Sequence, residues 1–454
     1  MSRCKPIDQF TDEELKILKQ KGNVFPRADN WNPFPKAVQL YEVDESGICW
    51  FPFALADEIK CSIKNPSDYP PCRFNKKGNL FTAESDHSGL GRDQVEVHRH
   101  AIEKLKKDRC VFMNLSTGFG KSALMVHISS KSHTGKKLVL VFNSEIQKQM
   151  VKAYRDFSDA NVQHIVGKQK VNKDAHVYVM GLKKASSCDR SFFETISTLI
   201  IDEVDQLPAK TLIQVMKMIN PVYLIGLTAT INRDDNMHKA LYSYFGERNT
   251  FIKRFIVKKF EVIKYQTDYV PDIEYANDGS VRNDIVTNSI AYNEHRQNMV
   301  CDIIQTYPDD KILVLSKRVL EIEGVASILQ EREEDVDYKT DTKTSWDISK
   351  RVLVAGFQSC GRGVDIPGLS VLILLTSVNN VQQYEGRIRE NNNLVIDIVD
   401  NHPIFETRWN KRRPWYKKRG ANIFYQIDGK DEVKHLPEKI INKRSGKSNA
   451  KSTK

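Results

Sequence analysis

The sequence predicts an α/β protein: two tandem domains on parallel sheets, preceded by a small α+β N-terminal domain and followed by a basic tail. Three observations lead there. Short apolar runs alternate with amphipathic stretches from Arg92 onward, the alternation resumes after a polar interruption, and the excess positive charge gathers at the end of the chain. Repeated strand–helix units imply parallel strands covered on both faces. The 454 residues suffice for about three domains.

Lys and Arg outnumber Asp and Glu by 69 to 58, a formal charge of +11. From residue 401 to the end the same count is 15 to 5, so the preceding body is close to neutral. Such a tail points to a polyanionic partner. Apolar runs such as 371–375 fall far short of the roughly 20 residues that cross a bilayer, so no membrane partner is expected. The first ten residues hold no apolar signal core. Eight cysteines, at 4, 49, 61, 72, 110, 188, 301 and 360, include no CxxC pair. Reduced thiols in an intracellular, non-secreted protein are therefore expected, not a disulfide scaffold or zinc ribbon.

Residues 1–87 mix prolines, asparagines and aromatics and are expected to form an accessory domain. A hairpin of strands 38–43 and 48–51 is expected around Gly47, and the polar, glycine-bearing stretch 76–91 reads as a linker. The spacing of Cys49, Cys61 and Cys72 does not suit a metal site. The first large domain, 88–265, is expected to carry strands at 110–115, 138–142, 177–180, 199–201 and 222–227, with helices at 95–105 and 146–157. Residues 266–288 read as a linker. The second large domain, 289–405, is expected to hold helices at 292–306 and 320–331 and strands at 312–315, 352–355, 371–375 and 394–398. Residues 406–454 form the basic extension.

The segment Ser116-Thr-Gly-Phe-Gly-Lys-Ser122 follows one apolar strand and opens a helix. Gly118 and Gly120 let the backbone N–H groups from Thr117 through Phe119 curl around a phosphate, and a helix N-terminus favours its charge. Lys121 would reach the β- and γ-phosphates of ATP, and Ser122 would ligate Mg²⁺. Leu115 stands where the strict P-loop pattern has glycine. The run Leu199-Ile-Ile-Asp-Glu-Val-Asp205 places carboxylates at a strand's carboxyl end, where open α/β sheets bind ligands. Asp202 is the candidate for Mg²⁺ and Glu203 for orienting and deprotonating the attacking water. Asp205 is available to couple this loop to Thr228 or Thr230 of Thr228-Ala-Thr230 by hydrogen bonding.

In the second domain, Gly361-Arg-Gly-Val-Asp365 offers a sharp loop and a carboxylate suited to a ribose hydroxyl. Gln383-Tyr-Glu-Gly-Arg-Ile-Arg389 offers two arginines of the kind that stabilise transition-state charge on a phosphoryl group.

In this order and spacing the segments resemble motifs I, II, III, V and VI of the superfamily 2 helicases, from about Gly91 to Asn401. Gly91-Arg-Asp-Gln94 resembles the segment before motif I, in which Gln94 would read adenine. Asn293-Glu-His-Arg296, Leu315-Ser-Lys-Arg-Val319 and Val395-Ile-Asp-Ile-Val-Asp400 are similar to the helicases of large DNA viruses related to the poxvirus transcript-release helicase and phage UvsW. The resemblance implies two RecA-like domains with ATP between them. It also implies that Lys121, Glu203 and an arginine, Arg387 or Arg389, are catalytic. Only Ile388 separates those two, whereas the family spaces its arginines by two residues, so the choice between them stays open.

The implied function is an ATP-driven helicase or translocase on DNA, as duplex, junction or single strand, in viral transcription termination and transcript release or in recombination and repair. An RNA substrate and a nucleic-acid scaffold with a regulatory ATPase are the alternatives. Asn143, Ser144, Ser316, Lys317 and Arg318 follow strands and are candidate phosphate contacts. Trp415 and Lys417 lie in a segment that interleaves aromatics with cations and suits stacking on single strands. A monomer is expected, with transcription or replication proteins as partners. A viral source would place it in host cytoplasm or nucleus, or packaged in the virion.

Overall fold

The computed structural model describes residues 2–28, 32–206, 210–229, 231, 235–343, 345–360, 366–379, 381–388, 393–430 and 433–435. Two compact units divide the chain close to residue 256.

The first unit is built on seven parallel strands, in the spatial order Ile252–Arg254, Cys110–Leu115, Tyr223–Thr228, Ile196–Ile201, Lys136–Val141, Val177–Gly181 and Val162–His164. The central strands are mostly apolar because helices cover both faces, and every residue of Ile196–Ile201 is buried, Ser197 and Thr198 included. Register sets the strand ends side by side. Thr228 pairs with Asn114, Leu115 with Arg254, and Ile201 with both Gly226 and Leu140. The loops that leave these strands therefore share one edge of the sheet.

The N-terminal segment, a small domain on antiparallel strands, falls within this same compact unit. Strands Ser2–Pro6, Ile48–Pro52 and Glu42–Val43 form a small antiparallel sheet. The expected hairpin is corrected in one arm: Val38–Gln39 pairs with Asn23–Val24 instead. Two buried cations fasten the segment. Arg3 donates to the Pro221 carbonyl at 2.9 Å and lies 3.7 Å from the centre of the Phe53 ring. Lys137 donates to the carbonyls of Gly135 and Cys72 at 2.9 and 3.1 Å. Desolvation lowers the Lys137 ammonium to about 8.

The second unit carries eight strands in the order Val336–Lys339, Val352–Gly356, Lys311–Ser316, Leu369–Leu374, Asn393–Val399, Phe260–Gln266, Ala421–Ile427 and Lys434–His435. The first seven run parallel and the last antiparallel. Three sequence expectations change here. Phe260–Gln266, assigned to the first domain by the boundary at 265, lies inside this second sheet between Asn393–Val399 and Ala421–Ile427. An apolar run announces a strand but not which sheet it joins. The stretch 266–288 is not all linker, since a helix spans Asn283–Ala291, and Glu294–Gln305 follows under an Asn293 cap.

The basic extension is the third change. Pro403–Arg419 is a helix, with proline at its first turn, and Ala421–Ile427 extends the sheet. Phe405, Trp409 and Tyr416 are buried. Arg412 forms a bidentate pair with Asp397 at 2.8 and 2.6 Å, and the Tyr416 hydroxyl donates to the same carboxylate at 2.9 Å. Composition alone makes such a segment look like a solvated strap. Here two of the helix's seven cations, Arg412 and Arg419, are buried against carboxylates.

Candidate active site and nucleic-acid interface

The loop 116–120 joins the strand Cys110–Leu115 to the helix Lys121–Ser129. Gly118 and Gly120 both take left-handed backbone angles, φ +81° and +83°, which an L side chain rarely adopts. The helix begins at Gly120 with no side-chain cap, so the N–H groups of its first turn are left for a ligand. Ser116 fixes the start of the loop: its N–H donates to the Arg254 carbonyl at 3.1 Å, and its hydroxyl accepts from Ile256 N–H at 3.1 Å.

Two side chains hold the loop from the side. Gln94 is buried at the start of the helix Gln94–Asp108 and donates its amide to the Phe119 carbonyl at 3.0 Å. The position expected to read adenine thus braces the phosphate loop in this structure. Arg92, whose part in the site the sequence did not reveal, donates to the Gly118 carbonyl at 2.6 Å. Its guanidinium is itself gripped by Asp86 at 2.9 and 2.7 Å. That bidentate pair holds the Asp86 carboxyl far below the usual carboxylate range. The available signal was an acid six residues before an arginine in a stretch otherwise read as linker.

Lys121 extends toward Glu203, with Nζ to Oε1 at 4.0 Å, and both side chains are partly exposed. Glu203 has φ +53°, a left-handed angle that is uncommon for a non-glycine residue. Its N–H donates to Asp202 Oδ1 at 3.0 Å. Desolvation, and then the charge of Glu203, raise the Asp202 carboxyl to about 6. Asp205 is buried and accepts from the Thr228 hydroxyl at 3.0 Å. Asn143 caps the helix Ser144–Phe157 by accepting from Glu145 N–H, and Ser144 is exposed beside it. Gln94, Thr117 through Ser122, Asn143, Ser144, Asp202, Glu203, Asp205 and Thr228 all belong to this one unit. Thr230 lies outside the described residues.

In the second unit, Ser316 departs from its expected role. It is fully buried, and its hydroxyl donates to Glu321 and meets the Thr376 hydroxyl at 3.1 Å, so it faces the interior and not a phosphate. Arg296 explains why: it bridges Asp400, at 2.8 Å, and Glu321 inside the same core. Lys317 is exposed. Arg318 is pinned to the Thr287 hydroxyl at 2.8 Å. Lys317, Arg318, Thr340, Phe357 and Tyr384 help to line an open cavity of about 610 Å³. Trp415 is half-buried, its indole N–H donating to Glu385 at 3.3 Å, while Lys417 is exposed one residue beyond the buried Tyr416. Arg387 is half-buried two residues after the end of the helix Gln382–Glu385, beyond its Gly386 cap. Asp365 and Arg389 lie outside the described residues.

Comparison with known proteins agrees with this geometry. The family model for the type III restriction enzyme, res subunit, matches residues 88–233. "Putative helicase 161L" of Invertebrate iridescent virus 6 is 25% identical over 449 residues, covering 92% of this chain and 98% of the relative. "Putative ATP-dependent RNA helicase L396" of Acanthamoeba polyphaga mimivirus is 24% identical over 447 residues, covering 91% and 83%. Among solved structures, S. cerevisiae Dbp5 bound to RNA and ADP BeF3 shares the fold at a TM-score of 0.53 and 13% identity, over 73% of this chain and 89% of that one. The phosphate loop, the acidic loop bonded to Thr228, and viral relatives named as putative helicases that match along nearly the whole chain make this chain similar to ATP-dependent helicases.

Proposed function

We propose that this helicase hydrolyses ATP at the first unit's phosphate loop and spends each cycle on moving along, or unwinding, DNA. The Thr228–Asp205 bond carries the reading, because it connects the acidic loop that faces Lys121 to the end of the neighbouring strand. A change at the nucleotide can thereby reach the next loop of the sheet.

The residues support a division of labour. Gly118, Gly120 and the first turn of the following helix cradle the phosphates, and Lys121 neutralises them. Gln94 and Arg92 hold the loop in the cradle shape. Glu203 orients the attacking water and accepts its proton. Asp202 and the Ser122 hydroxyl suit Mg²⁺, which takes one or two protein oxygens together with the phosphates. Burial, and then the neighbouring charge of Glu203, raise Asp202, and a bound cation would offset both. Mg²⁺ would supply charge neutralisation at the β- and γ-phosphates. Arg387 is the proposed transition-state arginine. Lys317, Arg318, Asn143 and Ser144 supply backbone contacts to the nucleic acid, with Lys417 as an outer contact.

The sequence resemblance suggests transcript release or recombination and repair as the setting, both of which present duplex junctions. ATPase stimulation by duplex DNA, single-stranded DNA and RNA at one salt concentration tests the choice of track. Stimulation by DNA supports the proposal; stimulation by RNA alone assigns the motor to RNA, as the name of the mimivirus relative has it.

A further inference from the structure

We propose that Lys258, Glu385 and Arg419 form a buried clamp that positions the arginine segment 386–388, and that the C-terminal helix is thereby part of the hydrolytic machinery's support. The inference rests on Arg387 acting as the transition-state arginine.

Glu385 lies two residues before Arg387 and is completely buried. A carboxylate in that position needs compensation, since an isolated buried charge is far more costly than a paired one. It receives more than one partner. Lys258 Nζ lies 2.7 Å from Oε1, Arg419 Nε donates to Oε2 at 3.0 Å, and the Trp415 indole donates to Oε2 at 3.3 Å. Two cations against one carboxylate leave a positive excess. Backbone carbonyls of the arginine segment absorb it: Lys258 Nζ also donates to Glu385 O at 3.3 Å and to Ile388 O. The residues before and after Arg387 are thus held by one ammonium group.

The clamp is closed on its far side as well. Lys258 N–H donates to the Arg419 carbonyl at 2.9 Å. The next residue, Gly420, takes φ +94°, and a Cβ there would come within 2.8 Å of Lys258 O. The helix Pro403–Arg419 can therefore end against Lys258 only with glycine at that place. Lys258 is the second residue of the second unit, so the chain's entry into that unit, its C-terminal helix and its motif VI segment meet at a single carboxylate.

Simple stabilisation would not require the contacts to converge on both sides of Arg387. A misplacement of a catalytic group by about 1 Å can slow chemistry by 10²-fold, so a partial loosening should slow it by about tenfold. The test compares Arg419→Lys, Glu385→Gln, Trp415→Phe and Arg387→Ala in the full chain. ATPase kcat and KM are measured at a temperature where circular dichroism shows each variant folded. Arg419→Lys and Glu385→Gln are expected to lower kcat about tenfold with KM within about twofold, the mark of a group needed in the transition state. Trp415→Phe keeps the ring, loses one hydrogen bond, and is expected to lower kcat about threefold. Should the two charge variants not fold, Trp415→Phe decides, and an unchanged kcat overturns the clamp. Hydrolysis lost in Arg387→Ala yet intact in folded Arg419→Lys overturns the clamp alone. Hydrolysis that survives Arg387→Ala overturns the arginine's role, and the clamp's with it.

Discussion

The Thr228 hydroxyl donates to Asp205 at 3.0 Å with both groups buried, so the strand Tyr223–Thr228 is bonded to the acidic loop through side chains as well as through the sheet. Thr228→Val keeps the shape and removes this bond. A buried hydrogen bond to a charged group contributes about 1.5–3 kcal/mol, enough to weaken coupling by about tenfold or more. Nucleic-acid-stimulated ATPase and strand displacement are expected to fall by that factor, with basal hydrolysis within about twofold of the parent. Equal loss of basal and stimulated rates would assign the bond to the catalytic geometry instead.

Lys121 and Glu203 face each other at 4.0 Å, and the proposed function gives them different tasks that substitution should separate. Lys121→Ala removes charge from the bound phosphates and is expected to weaken nucleotide affinity as well as hydrolysis. Glu203→Gln keeps the side-chain shape, and nucleotide binding should survive while kcat falls by about 10²-fold or more. Fluorescent-nucleotide titration beside single-turnover hydrolysis distinguishes the two. Unwinding that persists in both variants would show that neither residue serves an ATP-driven motor.

The place of the candidate site was largely legible in the sequence, because the candidate residues follow strands and a strand's carboxyl end is where an open sheet binds ligands. The helpers were not. Arg92 reaches Gly118 across 26 residues, and Glu385 meets Lys258 across 127, distances over which local pattern is silent. Phe260–Gln266 shows the same limit for the fold: its apolar residues mark a strand, while its pairing with Asn393–Val399 depends on partners far along the chain. The C-terminal helix misled for the converse reason. Arg412 and Arg419 count as surface charge in a composition, but each is buried against a carboxylate more than ten residues away.

Gly120 should be the least replaceable residue of the phosphate loop. Its φ of +83° strains any L side chain, and a Cβ would lie 2.2 Å from the Gln94 amide nitrogen. Gly120→Ala must either twist the loop or push Gln94 away from the Phe119 carbonyl, at a cost of about 1–3 kcal/mol. A drop in ATP affinity of about tenfold or more is expected. Pairing it with Gln94→Ala, which clears the space, should recover part of that loss; no recovery would mean that backbone strain alone is responsible.

Acid should loosen the first unit through His127, which is buried on the helix that follows the phosphate loop. Desolvation, then nearby Lys76 and His98, lower its imidazole to about 4 from an ordinary value near 6.5. The unfolded chain therefore binds a proton between those two pH values while the folded chain does not. Stability is whole above about 6.5 and is lost as pH falls toward 4. Melting is expected to drop by about 4 °C between pH 7 and pH 5, and by clearly less in His127→Gln, which has no titrating proton. An equal drop in the variant would place the acid sensitivity elsewhere.

The charge of the C-terminus divides at residue 435. A truncation after Arg419 would remove Ala421–Ile427, which pairs with Phe260–Gln266 along its whole length, and the second unit should fail to fold. A truncation after His435 leaves that strand in place and removes six cations and one acid, among them Lys443, Arg444 and Lys447. Each phosphate contact contributes roughly 0.7–0.9 to the slope of log affinity against log salt. Losing a net five charges should flatten that slope by up to about 4 and weaken binding most at low salt, with basal ATPase unchanged. Filter binding across a salt series, with hydrolysis measured in parallel, checks both halves. A slope that does not move would show that these charges do not grip the nucleic acid, and a collapse of basal hydrolysis would make the segment part of the folded motor.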